Sequence, residues 1–253
     1  MKVFLDPGHN FAPPDTGATG FGLREQDVTF QVADTVRALL ELSGVDVRMS
    51  RNNLTDILGR TVTESLTLRA QGSDDFGADY CVSIHCNAGG GIGAETYAFV
   101  SGSFGDQLAQ KIQAQLVNMG MRNRGVKYSQ DLFMLRRPKA PAVLVELGFI
   151  DNANDNDILR NRQFDLAEAV TKGICEQLNI DYKGGEDDVT DVVDTTDTND
   201  VTDTTEHWAK QYLDSLTAAG IVENPEKWED FDNPVTKGLL LALVDKMMDN
   251  LKG

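Results

Sequence analysis

Short apolar runs alternate with helical stripes along the first 182 residues. The run at 2–6 (Lys-Val-Phe-Leu-Asp) reads as a buried strand. Apolar positions three and four apart over 25–42 give an amphipathic helix that stops at Ser43-Gly44. The same reading predicts strands at 45–50, 80–85, 96–100, 132–135 and 142–146, with helices at 60–71, 104–119 and 164–178. Strands separated by helices imply an α/β domain: a twisted, mostly parallel sheet with helices on both faces. In such a sheet functional groups stand beyond the strand ends, in the loops.

The pattern breaks after residue 182. Residues 183–205 are rich in Asp and Thr, with an acid at nearly every third position from 188 and no aromatic residue to seed a core. A spacing of three fits neither helix nor strand, so this segment is expected to be an acidic linker extended by its own charge. It lacks the fixed glycine and closing glutamate of a calcium-binding EF-hand loop. Residues 206–253 regain apolar and aromatic positions, among them Trp208, Tyr212, Leu216 and Trp228, and predict a small α-helical module interrupted at Gly220. Fewer than fifty residues without a disulfide bury little surface, so the module is expected to pair with a copy of itself, as a homo-oligomer, or to dock elsewhere.

Charge narrows the class. The net charge is -17, and almost half of it lies in residues 183–206. Nucleic acid and anionic membranes both recruit cationic surfaces, so neither is an expected partner. No apolar run reaches the length of a membrane span. Three cysteines, Cys81, Cys86 and Cys175, show no CxxC pattern and no disulfide framework. The opening residues MKVFLDPGHN lack the apolar core and cleavage site of a signal peptide, which predicts synthesis in a cytoplasm without export by this segment.

Only three histidines occur, and two stand at predicted strand ends. His9 follows the first strand through Pro7-Gly8, and His85 closes the strand Tyr-Cys-Val-Ser-Ile-His. Glu25 opens the first helix, and Glu146 ends the most apolar strand, Ala-Val-Leu-Val-Glu. Singly, a strand-end histidine can be a satisfied polar group, and a glutamate at a helix start favours the helix dipole. Glu146 is harder to place this way, because a buried carboxylate costs energy unless something pairs with it. Together, two His and one Glu would supply three ligands of a catalytic zinc with its fourth position open to water, and a further Glu could act as base. No HExxH is present, so a helix-borne zinc motif is excluded. Spacing alone leaves the bland and the metal readings both open.

Four segments, VFLDPGHN, GLREQDVTFQVA, VSIHCNA and AVLVELGFIDN, occur in the order and spacing found in zinc-dependent N-acetylmuramoyl-L-alanine amidases, which this chain resembles over about residues 1–180. Those enzymes cut the amide between muramic acid and L-alanine in peptidoglycan. The resemblance implies a mixed sheet with helices on both faces, zinc held by His9, Glu25 and His85, and Glu146 as the catalytic acid and base. Asn87 and Arg136 are expected to hold substrate, with local turn capping and surface ion pairing as their alternatives. Cys86 is read as a small buried apolar residue rather than a ligand. Glu95 is left outside the set that contacts the metal.

The C-terminal text EHWAKQYLDSLTAAGIV…FDNPVTKGLLLALVDKM resembles a single S-layer homology motif, a type that anchors proteins to wall polymers. It departs from that family in having one copy where three are usual, and in reading Thr236-Lys237-Gly238-Leu239 at the TRAE-like segment. A wall amidase without a signal peptide, joined to a small anchoring module, resembles a phage endolysin. That implies a Gram-positive peptidoglycan substrate and release from the host cytoplasm by a holin. The alternatives are a host autolysin or sporulation amidase, a zinc peptidase of the cross-linking peptides, and a wall-binding protein without activity.

Overall fold

The computed structural model describes residues 1–184 and Thr217. The chain divides into two units, 1–189 and 190–253, and the architecture below belongs to the first. The expected linker and C-terminal module lie outside the described residues, apart from positions 183, 184 and 217.

In chain order the elements are β1 (Lys2–Pro7), β2 (Thr19–Gly20), β3 (Leu23–Arg24), α1 (Glu25–Leu42), β4 (Asp46–Met49), α2 (Val62–Phe76), β5 (Tyr80–Asn87), β6 (Ala94–Ala98), α3 (Phe104–Asn118), β7 (Asn123–Tyr128), α4 (Phe133–Arg136), β8 (Ala142–Phe149), α5 (Ala153–Asn161) and α6 (Gln163–Leu178). Six strands form one mixed sheet in the order β4-β1-β5-β8-β6-β7, and β2 and β3 make a separate small hairpin. β4, β1, β5 and β8 run parallel; β6 pairs antiparallel with β8 and carries β7 parallel to itself. The fold class expected for residues 1–182 is the observed one.

The central strands read as unbroken apolar runs because both faces are covered. On β1, Val3 and Leu5 join the larger core packed with α1, α3 and α6, whereas Phe4 points the other way into a smaller core with Ala70, Phe76 and Leu144. Each such fully buried side chain contributes about 1.5–3 kcal/mol relative to exposure. Helix boundaries follow local chemistry. The Thr61 side chain accepts the Glu64 N–H at the start of α2, and Gly77 ends that helix in the left-handed conformation at φ 66°.

Four expectations need correction. The apolar stretch 132–135 is not a strand: most of it lies in the single helical turn α4, since four apolar residues fit a buried turn as well as a strand. Strand β7 was not anticipated, because at the sheet edge none of its residues is fully buried and the sequence Asn-Arg-Gly-Val-Lys-Tyr carries no alternation. Helix α5, polar and nine residues long, was also missed. One helix boundary shifts as well, since α2 runs on to Phe76 rather than stopping near 71.

Candidate functional site

The parallel strands β1, β5 and β8 end on the same side of the sheet, and the candidate residues gather there. His9 leaves β1 after Pro7-Gly8 with φ 66°, a left-handed conformation rare for a non-glycine residue and frequent where geometry serves a site. Its Nε2 lies 3.2 Å from Glu25 Oε1, and its Nδ1 lies 3.0 Å from Asp15 Oδ1. Glu25 is the first residue of α1 and is 4 % exposed. The same Oε1 lies 3.1 Å from His85 Nδ1 and accepts the Cys86 N–H at 3.0 Å, while Oε2 accepts the Ala18 N–H at 2.8 Å. One ligand atom from each of His9, Glu25 and His85 falls within 4.8 Å of the other two. The imidazole centroids stand 4.9 Å apart, edge to face.

Glycine makes this approach possible at two points. A Cβ at Gly8 would meet the His85 ring at 2.5 Å, and one at Gly17 would meet Glu25 at 2.7 Å and the His9 ring at 2.8 Å. Arg51, fully buried, ties the two halves of the cluster together, donating to the Gly8 carbonyl at 3.3 Å and the Gln26 carbonyl at 2.9 Å.

A buried ionic network lies beneath. Arg69 on α2 donates to both Asp6 oxygens, at 2.7 and 2.8 Å, and to Asp15 Oδ2 at 3.3 Å, and its Nη2 lies 3.3 Å from His85 Nε2. Ser83 donates to Asp6 at 2.6 Å and Ser65 to Asp15 at 2.7 Å. Asp6, Asp15, Ser65 and Arg69 were not singled out from the sequence. Only Asp6 and Arg69 carried a signal, a charge within a predicted strand and a predicted helix, whereas Asp15 lies in the loop between β1 and β2 and Ser65 is uncharged.

Burial and charge set the protonation states. Burial opposes ionisation of Glu25, yet hydrogen bonds from His85 and His9 prevail and hold its carboxyl well below the usual range. Burial likewise opposes the His9 cation, but Asp15 and Glu25 raise its pKa to about 9. Burial lowers that of His85 against the pull of Glu25. Asp15 is lowered to about 2, its own burial outweighed by His9, Ser65 and Arg69.

Glu146 differs. It pairs in register with His85 on one side and Glu95 on the other, so the three side chains line up across β5, β8 and β6. Its Oε2 is buried with no hydrogen-bond partner. Burial, then the charges of Glu25 and Glu95, push the carboxyl up to about 8. Beside it opens a groove of about 530 Å³, whose walls include Asn87, Glu95, Tyr97, Arg124 and Lys127.

Asn87 stands in this groove, donating to Glu95 Oε1 at 2.8 Å while its own Oδ1 accepts the Ala88 N–H. The local capping reading is met by the Ala88 contact, and the position in the groove is compatible with holding substrate. Arg136 does not line the groove. Its guanidinium packs on Phe133 at 5.7 Å and borders a separate cleft of about 470 Å³ with Phe99 and Phe104. Cys86 points into the larger core, where burial raises its thiol well above the ordinary value, and it is not one of the three clustered groups. Glu95, left outside the metal-contacting set, lines the groove beside Glu146.

The donor set suits a divalent zinc-like ion. Two imidazole nitrogens and a carboxylate oxygen are zinc's preferred partners, and ligands about 2.0–2.1 Å from a tetrahedral ion stand about 3.4 Å apart. The separations of 3.1 and 3.2 Å from Glu25 Oε1 are close to that. The Asp15 carboxylate behind His9 Nδ1 is the usual outer partner of a metal-ligating histidine.

Fold and site together define an α/β protein with a metal-capable centre at the strand ends and, next to it, a buried carboxyl with one oxygen unpartnered. The chain belongs to the N-acetylmuramoyl-L-alanine amidase family, which residues 3–176 match. It is 35% identical over 189 residues to the N-acetylmuramoyl-L-alanine amidase CwlM of Bacillus licheniformis, a match covering 71% of this chain and 70% of that protein. It is 36% identical over 194 residues to the endolysin of Bacillus phage SPP1, covering 72% and 68% respectively. The CwlD amidase of Clostridioides difficile, solved in complex with the GerS lipoprotein, superposes with a TM-score of 0.65 at 28% identity over 70% of this chain and 98% of that chain.

Proposed function

We propose that this chain is a zinc-dependent amidase that cleaves the bond between N-acetylmuramic acid and L-alanine in Gram-positive peptidoglycan. The observation that carries the reading is the His9–Glu25–His85 cluster, its ligand atoms within 4.8 Å of one another, beside a buried Glu146 oxygen without a partner. Zinc bound by these three residues would supply Lewis acidity, sharpening a water as nucleophile and polarising the scissile carbonyl. Asp15 holds the His9 ring so that Nε2 faces the cluster. Glu146 takes the proton of the attacking water at Oε2 and passes it to the departing alanine nitrogen, which is a poor leaving group unless protonated. Asn87 stands in the groove as a substrate donor or acceptor.

The biological setting we infer is that of a phage endolysin, made in the host cytoplasm and reaching the wall after holin-type release. The 36% identity to a phage endolysin supports it. Among the described residues no helix is long and apolar enough to cross a membrane.

The test is end-group analysis of Gram-positive peptidoglycan digested with the protein, with and without a zinc chelator. The expected result is new L-alanine amino termini, no new reducing sugars, and loss of activity on chelation that zinc restores. New amino termini on other residues would overturn the amidase reading in favour of a wall peptidase. Expression inside a Gram-positive host, with and without a holin, tests the setting: lysis independent of the holin would count against an endolysin.

A further inference from the structure

The groove beside Glu146 carries two cations, Arg124 and Lys127, and both rest on a second carboxylate, Glu95. Glu95 is 2 % exposed, and both its oxygens are saturated. Oε1 accepts from Asn87 Nδ2 at 2.8 Å and the Tyr97 hydroxyl at 2.9 Å; Oε2 accepts from Arg124 Nε and Lys127 Nζ, each at 2.5 Å. One cation would neutralise this carboxylate, and two are present. Both come from the edge strand β7 and are about one-third exposed, Arg124 at 32% and Lys127 at 37%.

Their remaining donors are held ready. Arg124 spends only Nε on Glu95, and its Nη nitrogens make no hydrogen bond among the described residues. Its guanidinium is stacked 4.8 Å from the Phe149 ring centre, and the Lys127 ammonium lies 5.7 Å from that of Tyr97. Glu95 below and the rings alongside fix both heads without using all their hydrogens. A guanidinium fork with two free nitrogens matches a carboxylate. In a chain of net charge -17, a built cationic pair lining a groove is not a generic surface feature.

We infer that Arg124 and Lys127 form a carboxylate subsite that seats the second residue of the stem peptide, an inference that rests on the amidase reading above. In peptidoglycan that residue is a glutamate linked onward through its side chain, which leaves its α-carboxyl free or capped as a carboxamide. β7 lies two strands from β8 and Glu146, roughly 9–10 Å at sheet spacing, and long side chains reach back over part of it. Two extended residues span roughly 7 Å. A scissile amide beside Glu146 therefore brings the next free carboxylate within reach of the pair. The subsite makes the enzyme sensitive to amidation of the wall.

The test uses two N-acetylmuramoyl dipeptides, L-alanyl-D-glutamate and its α-carboxamide, with the zinc-loaded full chain. The wild type is expected to favour the free acid by roughly tenfold or more in kcat/KM, the range of a charge-assisted hydrogen bond, with the difference in KM. In Arg124→Gln with Lys127→Gln the acid-to-amide ratio falls toward one, while Arg124→Lys keeps part of it. Lys127→Gln alone leaves Glu95 paired with Arg124 and covers the case in which the double variant does not fold. Calorimetric binding of both dipeptides to Glu146→Gln reads the same preference without turnover. An acid-to-amide ratio near one in the wild type, or one unchanged in the variants, overturns the subsite while cleavage of both compounds leaves the amidase reading standing. Cleavage of neither removes the amidase reading, and the calorimetric preference then still decides whether the pair binds a carboxylate.

Discussion

Glu25 opens α1 and Glu146 lies within β8, and burial penalises ionisation of both. They are nevertheless driven in opposite directions. Glu25 receives donors on both oxygens and faces two imidazoles, so its negative form is the stable one. Glu146 is buried, has carboxylates at Glu25 and Glu95 for neighbours and has no donor at Oε2, so in the metal-free chain its carboxyl is pushed up to about 8. The same side chain is held as a carboxylate in one place and as a carboxylic acid in the other, and environment alone makes the difference, which is what the proposed roles of ligand and proton carrier require. The contrast extends to what surrounds each. The cluster around Glu25 rests on the Asp6–Arg69–Asp15 network and the Arg51 tether, whereas the Glu146 side opens into a groove.

The largest effect is expected from exchanging the mobile carboxyl. Glu146→Gln keeps shape and removes the titrating group, so turnover of wall fragments should fall by roughly 10²–10⁴, the range of general acid–base catalysis. Zinc content, read by atomic absorption after gel filtration, should stay at the wild-type level. Activity within a few-fold of wild type would break the contrast drawn between the two acids.

A smaller effect belongs to the support of the fixed ligand. Asp15→Asn leaves a hydrogen-bond acceptor for His9 but removes the charge behind it. Loss of an outer carboxylate of this kind costs about 10–100-fold in metal affinity or activity. Competition with a chromophoric zinc chelator measures it. An unchanged affinity would show that the ring is held by backbone geometry alone.

How much of this was legible in the sequence follows the same division. The four principal residues, His9, Glu25, His85 and Glu146, stood out because each interrupts or terminates an apolar element, and the structure gathers them at one end of the sheet. Their supports did not stand out. On α2 the buried face carries Ser65, Arg69 and Ser73, so the helical stripe is polar where an apolar one is sought, and both Arg69 and the true end of the helix were missed. β7 pairs along only one edge and carries Arg124 and Lys127, so its composition reads as loop. Arg136 illustrates the opposite error. A cation close in sequence to the groove-lining Leu132 points to another cleft, because α4 is a helical turn and rotates it away from where a strand would have left it.

The smallest and most specific expected effect is on stability. In metal-free protein Glu146 binds its proton more tightly when folded, with a pKa near 8, than when unfolded, near 4.5. Between those values the folded chain holds more protons, so its stability falls as pH rises, and the contribution is intact only below about 4.5. His9, raised from 6.5 to about 9, acts in the same direction but only above pH 6.5. Asp6, Asp15, Glu25 and Glu95 are all lowered, and their contributions are lost on acidification below the window. His85, lowered from 6.5, acts in the opposite direction and adds stability as pH rises toward 6.5. The difference between wild type and Glu146→Gln from pH 4.5 to 6.5 therefore isolates Glu146. Across this interval the urea midpoint of chelator-treated wild type should fall steadily relative to that of Glu146→Gln, and above pH 6.5 the His9 contribution declines in both. Parallel curves for the two proteins between pH 4.5 and 6.5 would mean that Glu146 is ionised in the folded chain, and the proton-carrying half of the comparison would fall.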